Sequence, residues 1–413
     1  MTSDEPAKKP ANMPPVEPAV DRGESSSLME PMLVREPQQR RDDLADLAVA
    51  VVGASAALRS SLPPGIVPAI ADLVRAMNCY YSNLIEGHDT HPIDIERALR
   101  SDYSQDLPKR NLQLEARAHV EVQAWIDADG VAGRATTQAA IREIHRRFCS
   151  LLPDDLLWIT NPDGSRTAVQ PGEFRTTQVA VGRHIAISPG AVPRFMERFE
   201  HVYAALGAID SIIAAATAHH RLLWIHPFTD GNGRVARLMS HAMLRDALET
   251  GGIWSIARGL ARRESEYKEH LERCDELRHG DLDGRGNLST ACLADFAEFF
   301  LRVCLDQITF MASLVQPERL RKRVVLWTQD EIRKGTLPPH ALAVVESLLN
   351  RGEVPRGDIP ILAATSERTA RRITAALQTH GVVTSASPRA PLRFAFPTAL
   401  ASQWMPGLFP DRP

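Results

Sequence analysis

This chain of 413 residues has few cysteines, no long apolar run and no large excess of positive or negative charge. Its five cysteines are scattered and no two have the spacing of a metal-binding pair, which argues against a disulfide framework or a cysteine metal site and predicts reduced thiols in the cytoplasm. No run of about 18 or more apolar residues occurs, and the N-terminal MTSDEPAKKPANMPP lacks the apolar core of a signal peptide. We therefore expect a soluble protein with no membrane partner.

The overall charge excludes a chain that is basic or acidic throughout. The 48 basic and 51 acidic residues leave a net charge of −3. Residues 319–413, however, hold 14 Lys and Arg against 7 Asp and Glu, a net +7 that leaves −10 for the rest of the chain. A nucleic-acid contact is therefore expected in the C-terminal part, where the positive charge is concentrated.

The pattern of apolar residues divides the chain into regions. Residues 1–42 are rich in Pro, Glu, Ser, Gln and Arg, a composition that predicts a disordered segment. Apolar residues then recur at helical spacing and predict a mainly α fold. We divide it into an N-terminal helical region at 43–165, a core at 166–316 and a linker at 317–337. Within the core, PGEFRTTQVAVGRHIAISP alternates polar and β-branched residues, which predicts a short β-hairpin.

Residues 338–413 have a different pattern. Three short helical segments, HALAVVESLLNRG, RGDIPILAA and SERTARRITAAL, precede VVTSASPRAPLRFAFP, which predicts a two-stranded ribbon. This order is that of a winged helix-turn-helix domain. Arg368, Arg371 and Arg372 lie near the start of its third helix, where contacts with DNA are made. A DNA-binding regulator is therefore one candidate function, and docking of this module onto protein is the alternative.

The stretch 226-HPFTDGNGRVAR-237 contains the densest group of reactive residues. Proline disfavours the helical conformation of the residue before it, so the preceding helix is predicted to end at His226, which then faces a loop. The glycines of TDGNG allow backbone N–H groups to converge at the N-terminus of the next helix, where the helix dipole also favours an anion. The stretch therefore predicts an anion-binding loop between two helices.

The charged side chains of this stretch favour a polyphosphate ligand. Arg234 and Arg237 are three residues apart, so they share a helix face and can bind neighbouring phosphate oxygens. Asp230 would repel phosphate directly, which makes it the candidate Mg²⁺ ligand between them. His226 is the candidate general base for an attacking hydroxyl, because histidine titrates near neutral pH.

HPFTDGNGRVAR resembles the signature of the Fic family, His-x-Phe-x-Asp/Glu-Gly-Asn-Gly-Arg-x-x-Arg, without departure, and the likeness extends over roughly residues 45–315. It implies a helical bundle that transfers AMP from ATP, with Mg²⁺, to a Ser, Thr or Tyr hydroxyl of a target protein and releases pyrophosphate. It implies that His226 is the base, that Phe228 anchors the loop and that Asp230 holds Mg²⁺. The remaining implied roles are the anion nest at Gly231, Asn232 and Gly233, a phosphate contact at Arg234 and the γ-phosphate contact at Arg237.

The same resemblance gives the hairpin a role. Residues from Phe174 to Ile187 resemble a flap that aligns an extended segment of the target by strand addition, with a hairpin that only packs as the alternative. Tyr267 is similar to an aromatic residue that lines the adenine pocket, and an ordinary core tyrosine is the alternative there. The candidate docking residues of the flap are Phe174, Thr176, Val179 and Val181.

The segment 82-SNLIEG-87 resembles a second Fic signature, that of an inhibitory helix. Ser82 and Glu86 are four residues apart and share a helix face, and Gly87 is suited to end the helix. The resemblance implies that Glu86 pairs with Arg237 and so prevents ATP from binding in a reactive pose.

Several alternatives stay open from the sequence. Relatives of this kind also remove AMP, and the same loop serves transfer of phosphate, UMP or phosphocholine. The resemblance favours a homodimer without requiring one. The target protein, its acceptor residue and the signal that relieves inhibition are not encoded in any recognisable motif.

Overall fold

The structure is a computed structural model that describes residues 19–161 and 164–410. The predicted disorder of residues 1–18 lies outside the described residues. The fold is mainly helical with small sheets, which confirms the predicted class. The helices are α1 Gln38–Ser60, α2 Val67–Ile85, α3 Pro92–Leu99, α4 Leu107–Asp127, α5 Gln138–Ser150, α6 Val192–Tyr203, α7 Ala208–Ile225, α8 Asn232–Leu248, α9 Ala257–Arg262, α10 Glu264–Arg273, α11 Thr290–Val315, α12 Pro317–Lys334, α13 Ala341–Arg351, α14 Ile359–Leu362, α15 Glu367–Thr379 and α16 Ala401–Trp404.

The strands are short and form three separate sheets. The first hairpin pairs β1 with β2, the second pairs β3 with β4, and the C-terminal sheet has the antiparallel order β5-β7-β6. The hairpin of β3 and β4 was predicted, whereas that of β1 and β2 was not. The strands are β1 Trp158–Thr160, β2 Arg166–Ala168, β3 Ala180–Val181, β4 His184–Ile185, β5 Glu353–Val354, β6 Val383–Thr384 and β7 Leu392–Phe394.

Helices α7 and α8 form the centre of the bundle. From Ile212 to Ile225, every residue of α7 except Leu223 is buried, as its apolar sequence predicts. α8 packs against α7, while α1 and α11 pack against each other and against α7 on one side. α2, α4 and α5 contact α8 on the other side. The short loop between α7 and α8 is therefore held at both ends by fully packed helices.

Residues 19–42 are not a disordered segment, and this expectation was wrong. Met29, Met32 and Val34 are buried in the main core, and α1 begins at Gln38. The fully buried guanidinium of Arg221 donates to the carbonyl oxygen of Pro31 from Nε at 3.0 Å and from Nη2 at 2.8 Å. The average composition of the segment conceals a local apolar cluster, SLMEPMLV, which is sufficient to anchor the chain here.

Residues 317–337 are mostly helical, so the prediction of a linker was also wrong. Helix α12 has proline at its first position, which suits a helix N-terminus, and it buries Leu320, Val324 and Trp327. The ring of Trp327 lies edge-on to Trp404 with centroids 5.1 Å apart. The helix therefore joins the bundle to the C-terminal domain through apolar packing.

The C-terminal domain has the predicted order of α13, α14 and α15 followed by the ribbon of β6 and β7. Strand β5, between α13 and α14, was not predicted, and it pairs with β7 to make the sheet three-stranded. Its last residues return to the bundle and contact α2. The hydroxyl of Tyr81 donates to the carbonyl oxygen of Leu408 at 3.1 Å, and Tyr80 packs edge-on against Phe409. The end of α2 that carries Ser82 is therefore in contact with the C-terminal tail.

Among the residues described, no single helix is long and apolar enough to span a membrane. The segments Gln38–Ser60 and Pro64–Ile85 together have the necessary length and composition, but the chain bends by 100° between them. All five cysteines are free and buried. Burial raises the pKa of the Cys149 thiol to about 12, so this thiol is un-ionised near neutral pH.

Candidate active site

His226 ends α7 in a left-handed conformation, with φ at +52°, which is uncommon for a residue other than glycine. Its backbone N–H donates to the carbonyl oxygen of Leu222 at 3.0 Å, and ring Nδ1 lies 3.3 Å from the carbonyl oxygen of Leu223. A carbonyl only accepts, so Nδ1 carries the proton and Nε2 is the basic nitrogen. Burial lowers the pKa of His226 to about 4, which keeps the imidazole neutral near pH 7.

The loop is closed by reciprocal hydrogen bonds between Asn232 and the backbone of Phe228. The Phe228 N–H donates to Oδ1 of Asn232, and Nδ2 of Asn232 donates to the Phe228 carbonyl oxygen, both at 2.9 Å. The ring of Phe228 is fully buried, as expected for an anchor. It stacks on the ring of His145 with centroids 3.9 Å apart and an interplanar angle of 2°. These contacts fix the shape of the turn before any ligand binds.

The N-terminus of α8 forms the predicted cradle. Gly231 precedes the helix with φ at +78°, and within the described chain no side chain caps the first amide groups. These amides, together with the helix dipole, favour an anion. A Cβ atom on Gly233 would clash with Oε1 of Glu86. The carboxylate of Glu86 therefore lies against the cradle itself.

Arg237 is buried and is held by the segment that the sequence predicted. Its Nε donates to the hydroxyl oxygen of Ser82 at 2.9 Å, and Nη2 donates to the Ser82 carbonyl oxygen at 3.1 Å and to the carboxylate of Glu86. Burial alone would raise the pKa of Glu86, but the charge and hydrogen bond of Arg237 lower it below its usual value. Gly87 follows with φ at +83° and ends the helix. The predicted pair of Glu86 and Arg237 is present in the structure.

Arg234 lies between two carboxylates. Its guanidinium is 3.1 Å from Glu115 and 3.3 Å from Asp230, and it lies over the ring of Phe148. Its Nε is buried and has no hydrogen-bond partner in the described part of the chain. About half of the Asp230 side chain is exposed. One accessible carboxylate beside a phosphate cradle is a donor set that fits Mg²⁺, which commonly takes one or two protein carboxylates plus substrate phosphates.

Tyr267 lies in the interior. It is 2 % exposed, and its hydroxyl is 2.7 Å from Nε2 of His219. Nδ1 of His219 lies 2.9 Å from the hydroxyl of Ser240, which itself donates to a backbone carbonyl oxygen. Burial raises the pKa of Tyr267 to about 12. The side chain therefore has almost no exposed surface that a nucleotide could contact. Its contact with adenine stays a prediction.

The hairpin of β3 and β4 lies beside the loop. Phe174 packs against Phe228 with ring centroids 5.9 Å apart, and Val179 is partly buried. Thr176 is exposed, and Val181 is 51 % exposed. The flap therefore combines an anchored base with an exposed tip, which suits the docking of an extended segment.

Arg175 connects this flap to the loop at 226–237 and was not identified from the sequence. Its side chain is 2 % exposed. It donates to the carbonyl oxygens of His226 at 2.7 Å, Thr177 at 3.0 Å and Ile187 at 2.6 Å. Burial lowers the pKa of Arg175 to about 10, and it remains a cation held by carbonyl groups. Nothing in FRTT distinguishes this arginine from a solvated one, because its partners are all backbone atoms.

Three further residues at the site were missed. His145 lies on the buried face of α5, and a histidine on an otherwise apolar helical face was the signal for it. Glu115 on α4 pairs with Arg234 and also with His88, whose Nδ1 is 2.8 Å from the Glu115 carboxylate. The Glu115 hydrogen bond raises the pKa of His88. These contacts tie the segment after Gly87 to α4.

Replacement of Arg175 by lysine is expected to loosen the flap. Lysine keeps the charge but lacks the planar fork that reaches several carbonyls, and each buried carbonyl left unpaired costs about 1–3 kcal/mol. Amide hydrogen exchange in residues 176–187 should accelerate at least about tenfold. Arg183→Lys in the same hairpin, where the side chain is 93 % exposed, is the control and should leave exchange unchanged. Equal exchange in the two variants would contradict this role.

Comparison with known proteins agrees with the geometry. Residues 135–244 match the model of the Fic/DOC family. The chain is 31 % identical over 170 residues to protein adenylyltransferase Fic of Drosophila grimshawi, covering 41 % of this chain and 32 % of that protein. It is 30 % identical over 233 residues to protein adenylyltransferase Fic of Nematostella vectensis, covering 54 % and 48 % respectively. This chain thus spans about a third to a half of the length of these curated relatives.

A solved structure also resembles the fold. The crystal structure of a Fic family protein from Desulfovibrio desulfuricans G20 has a TM-score of 0.51 at 16 % identity, over 84 % of this chain and 96 % of that chain. The matched family residues run from just before α5 to the last turns of α8, so they include His145, the flap and the loop at 226–237. Over residues 135–244, this chain is therefore similar to the Fic/DOC family.

Proposed function

We propose that this protein transfers AMP from ATP to a hydroxyl side chain of a target protein. The observation that carries the proposal is the junction of α7 and α8, where a neutral imidazole with a basic Nε2 lies beside an open helix N-terminus and two buried arginines. The names of the curated relatives support the same activity. An anion cradle alone would indicate binding only, whereas the base beside it supplies a means of activating the acceptor.

In the proposed reaction, Nε2 of His226 removes the proton from the acceptor hydroxyl. The acceptor oxygen forms a bond with the α-phosphorus of ATP, the bond from that phosphorus to the β-phosphate oxygen breaks, and pyrophosphate leaves. The amides of the α8 N-terminus stabilise negative charge on the transferred phosphate. The flap holds the acceptor segment in place, which reduces the entropy lost on reaching the reactive geometry.

Asp230 and the phosphate oxygens would hold Mg²⁺, which supplies charge neutralisation at the phosphates. Arg234, which pairs directly with Asp230, is assigned a contact with the phosphates. Arg237 is assigned to the γ-phosphate. Because Arg237 is almost fully buried, it binds that phosphate in a low-dielectric environment where the interaction is strong.

We also propose that Glu86 inhibits the transfer. Its carboxylate is paired with Arg237 and lies against Gly233 at the cradle. An ATP molecule with its γ-phosphate on Arg237 would place two anions in the same space. The electrostatic cost of that arrangement in a buried site favours other, unreactive poses of the triphosphate.

Replacement of Glu86 by glycine is expected to raise AMP transfer, including self-modification, by about 100-fold or more, the effect typical of one hydrogen-bond donor at a transition state. Intact mass after incubation with Mg²⁺ and ATP should show the gain of one or more adenylyl groups. Glu249→Gly is the matched control, since Glu249 also caps a helix C-terminus and its side chain is 87 % exposed.

Labelled nucleotides, used with the same Glu86→Gly protein, distinguish AMP transfer from phosphate transfer and from AMP removal. Label from α-labelled ATP on the protein indicates AMP transfer, whereas label only from γ-labelled ATP indicates phosphate transfer. Release of AMP from a previously modified target would indicate the reverse reaction. The proposal is refuted if Glu86→Gly and the wild-type protein both stay unmodified with every nucleotide while binding of ATP is intact.

The pH dependence of transfer follows from the lowered pKa of His226. Because burial holds this pKa at about 4, the imidazole stays in its basic form down to mildly acidic pH. In the Glu86→Gly protein, kcat/KM should stay nearly level from pH 8 to about pH 5.5 and fall only as pH approaches 4. Binding of Mg·ATP, measured at each pH, removes the contribution of phosphate protonation. A fall centred near the ordinary histidine value of about 6.5 would contradict this assignment.

The C-terminal domain supports a second function, contact with duplex DNA. Arg368, Arg371 and Arg372 are all exposed on α15, which packs beside the ribbon of β6 and β7. This arrangement presents three cations on one face of the third helix, as in domains that place such a helix in the major groove. If the protein has this second function, it is a DNA-binding regulator and its helical bundle acts as the sensor.

Binding to random duplex DNA should be measured by fluorescence anisotropy over a range of salt concentration. Replacement of Arg368, Arg371 and Arg372 by alanine should reduce the slope of log affinity against log salt by up to about 3, because each lost phosphate contact removes about 0.9. A control with alanine at the exposed Arg134, Arg183 and Arg302 removes the same charge elsewhere. Identical slopes for the two variants would favour docking onto protein instead.

A further inference from the structure

We infer that His145 is a positioning residue that acts as a neutral imidazole, protonated on Nε2, and connects the base of the flap to the backbone of Asp230. This role rests on the proposed function. One buried side chain would position both the candidate metal ligand, Asp230, and the target-docking flap. His145 does not touch the reacting atoms, so it acts through these two elements.

The position of His145 is fixed by α5. Its side chain is on the same face as Ile141, Ile144 and Phe148, and it is 1 % exposed. An imidazole on this face costs free energy unless both ring nitrogens are hydrogen-bonded. Partners for both are present, and they come from opposite sides of the active site.

The hydrogen bonds determine which nitrogen carries the proton. The backbone N–H of Gly172 lies 2.9 Å from Nδ1 of His145, and an amide N–H can only donate. Nδ1 is therefore the acceptor and Nε2 carries the proton. Nε2 lies 3.2 Å from the carbonyl oxygen of Asp230, which can only accept. The imidazole of His145 thus accepts a hydrogen bond from the Gly172 N–H and donates one to the Asp230 carbonyl oxygen.

The two partners explain the effect on the site. Gly172 lies two residues before Phe174, the first residue of the flap, so the bond to Nδ1 holds the segment that leads into the flap. The carbonyl of Asp230 belongs to the same residue as the candidate Mg²⁺ ligand, so the bond from Nε2 limits rotation of that backbone and the direction of the carboxylate. The parallel stack of the ring on Phe228 holds the imidazole plane between these partners.

Two conservative variants separate the two bonds. The side-chain amide of asparagine places a polar atom near the position of Nδ1, and that of glutamine near the position of Nε2. His145→Asn can therefore keep the acceptor for Gly172 and lose the donor to Asp230. His145→Gln can keep the donor to Asp230 and lose the acceptor for Gly172. Both are made in the Glu86→Gly protein, with the same changes at the exposed His201 as controls.

The variants are expected to differ in kind. His145→Asn should raise the Mg²⁺ concentration for half-maximal transfer by about 10-fold or more, the usual effect of losing a residue that orients a metal ligand. Binding of Mn²⁺ in the presence of a non-hydrolysable ATP analogue, measured by electron paramagnetic resonance, should weaken in parallel. His145→Gln should leave metal binding near that of Glu86→Gly and accelerate amide hydrogen exchange in residues 173–187.

The inference is overturned if both variants change metal binding and flap exchange equally, or if neither variant changes either property while thermal unfolding shows that both are folded. Failure of the proposed function has a different signature: the Glu86→Gly parent then transfers no AMP. The metal-binding and exchange measurements do not depend on transfer, so they still decide the role of His145 in that case.

Discussion

The active-site geometry depends on the pair of hydrogen bonds between the Asn232 side chain and the backbone of Phe228. A loop with two glycines loses much conformational entropy when it adopts one shape, and this cost falls on the turn between α7 and α8. The reciprocal amide bonds and the burial of the Phe228 ring offset it. As a result, His226, the open α8 N-terminus and Asp230 keep fixed relative positions in the absence of nucleotide.

Two buried arginines are the second constraint. Charges of this kind are stable in a protein interior only when they are paired and hydrogen-bonded. Glu86 and Ser82 pair with Arg237, while Glu115 and Asp230 pair with Arg234. The same arginines are suited to phosphate, so in the proposed reaction the Glu86 carboxylate would compete with a phosphate group for Arg237. Inhibition by Glu86 would therefore follow from the need to neutralise a cation that the proposed reaction requires.

The periphery of the bundle supports these central elements from both ends of the chain. The N-terminal segment reaches the far end of the flap, where the Glu24 carboxylate accepts hydrogen bonds from the N–H and hydroxyl of Ser188 at 2.9 and 2.5 Å. The C-terminal tail contacts α2 at Tyr80 and Tyr81, directly before Ser82. The flap and the end of α2 are thus each held by a segment distant in sequence.

Much of the fold and of the site could be predicted from local patterns. The helical spacing of apolar residues indicated a bundle, proline after His226 marked the end of α7, and the spacing of Ser82 and Glu86 placed both on one helix face. The pairing of Glu86 with Arg237 was implied by the family resemblance. The disorder of residues 19–42 and the linker at 317–337 were predicted wrongly. In both segments a few apolar residues decide the structure by burial against distant helices, which an average over composition does not reveal.

The sequence by itself determined the identity of the reactive groups and their order along two helices, because helix ends, glycine turns and residue spacing are local properties. Only the tertiary structure decided which nitrogen of His226 is basic, and that Arg175 and His145 hold the flap and the loop together. Those roles depend on backbone carbonyls and amides brought close by packing. Nearly every residue has these backbone groups, so the sequence does not show which of them will bind Arg175 or His145.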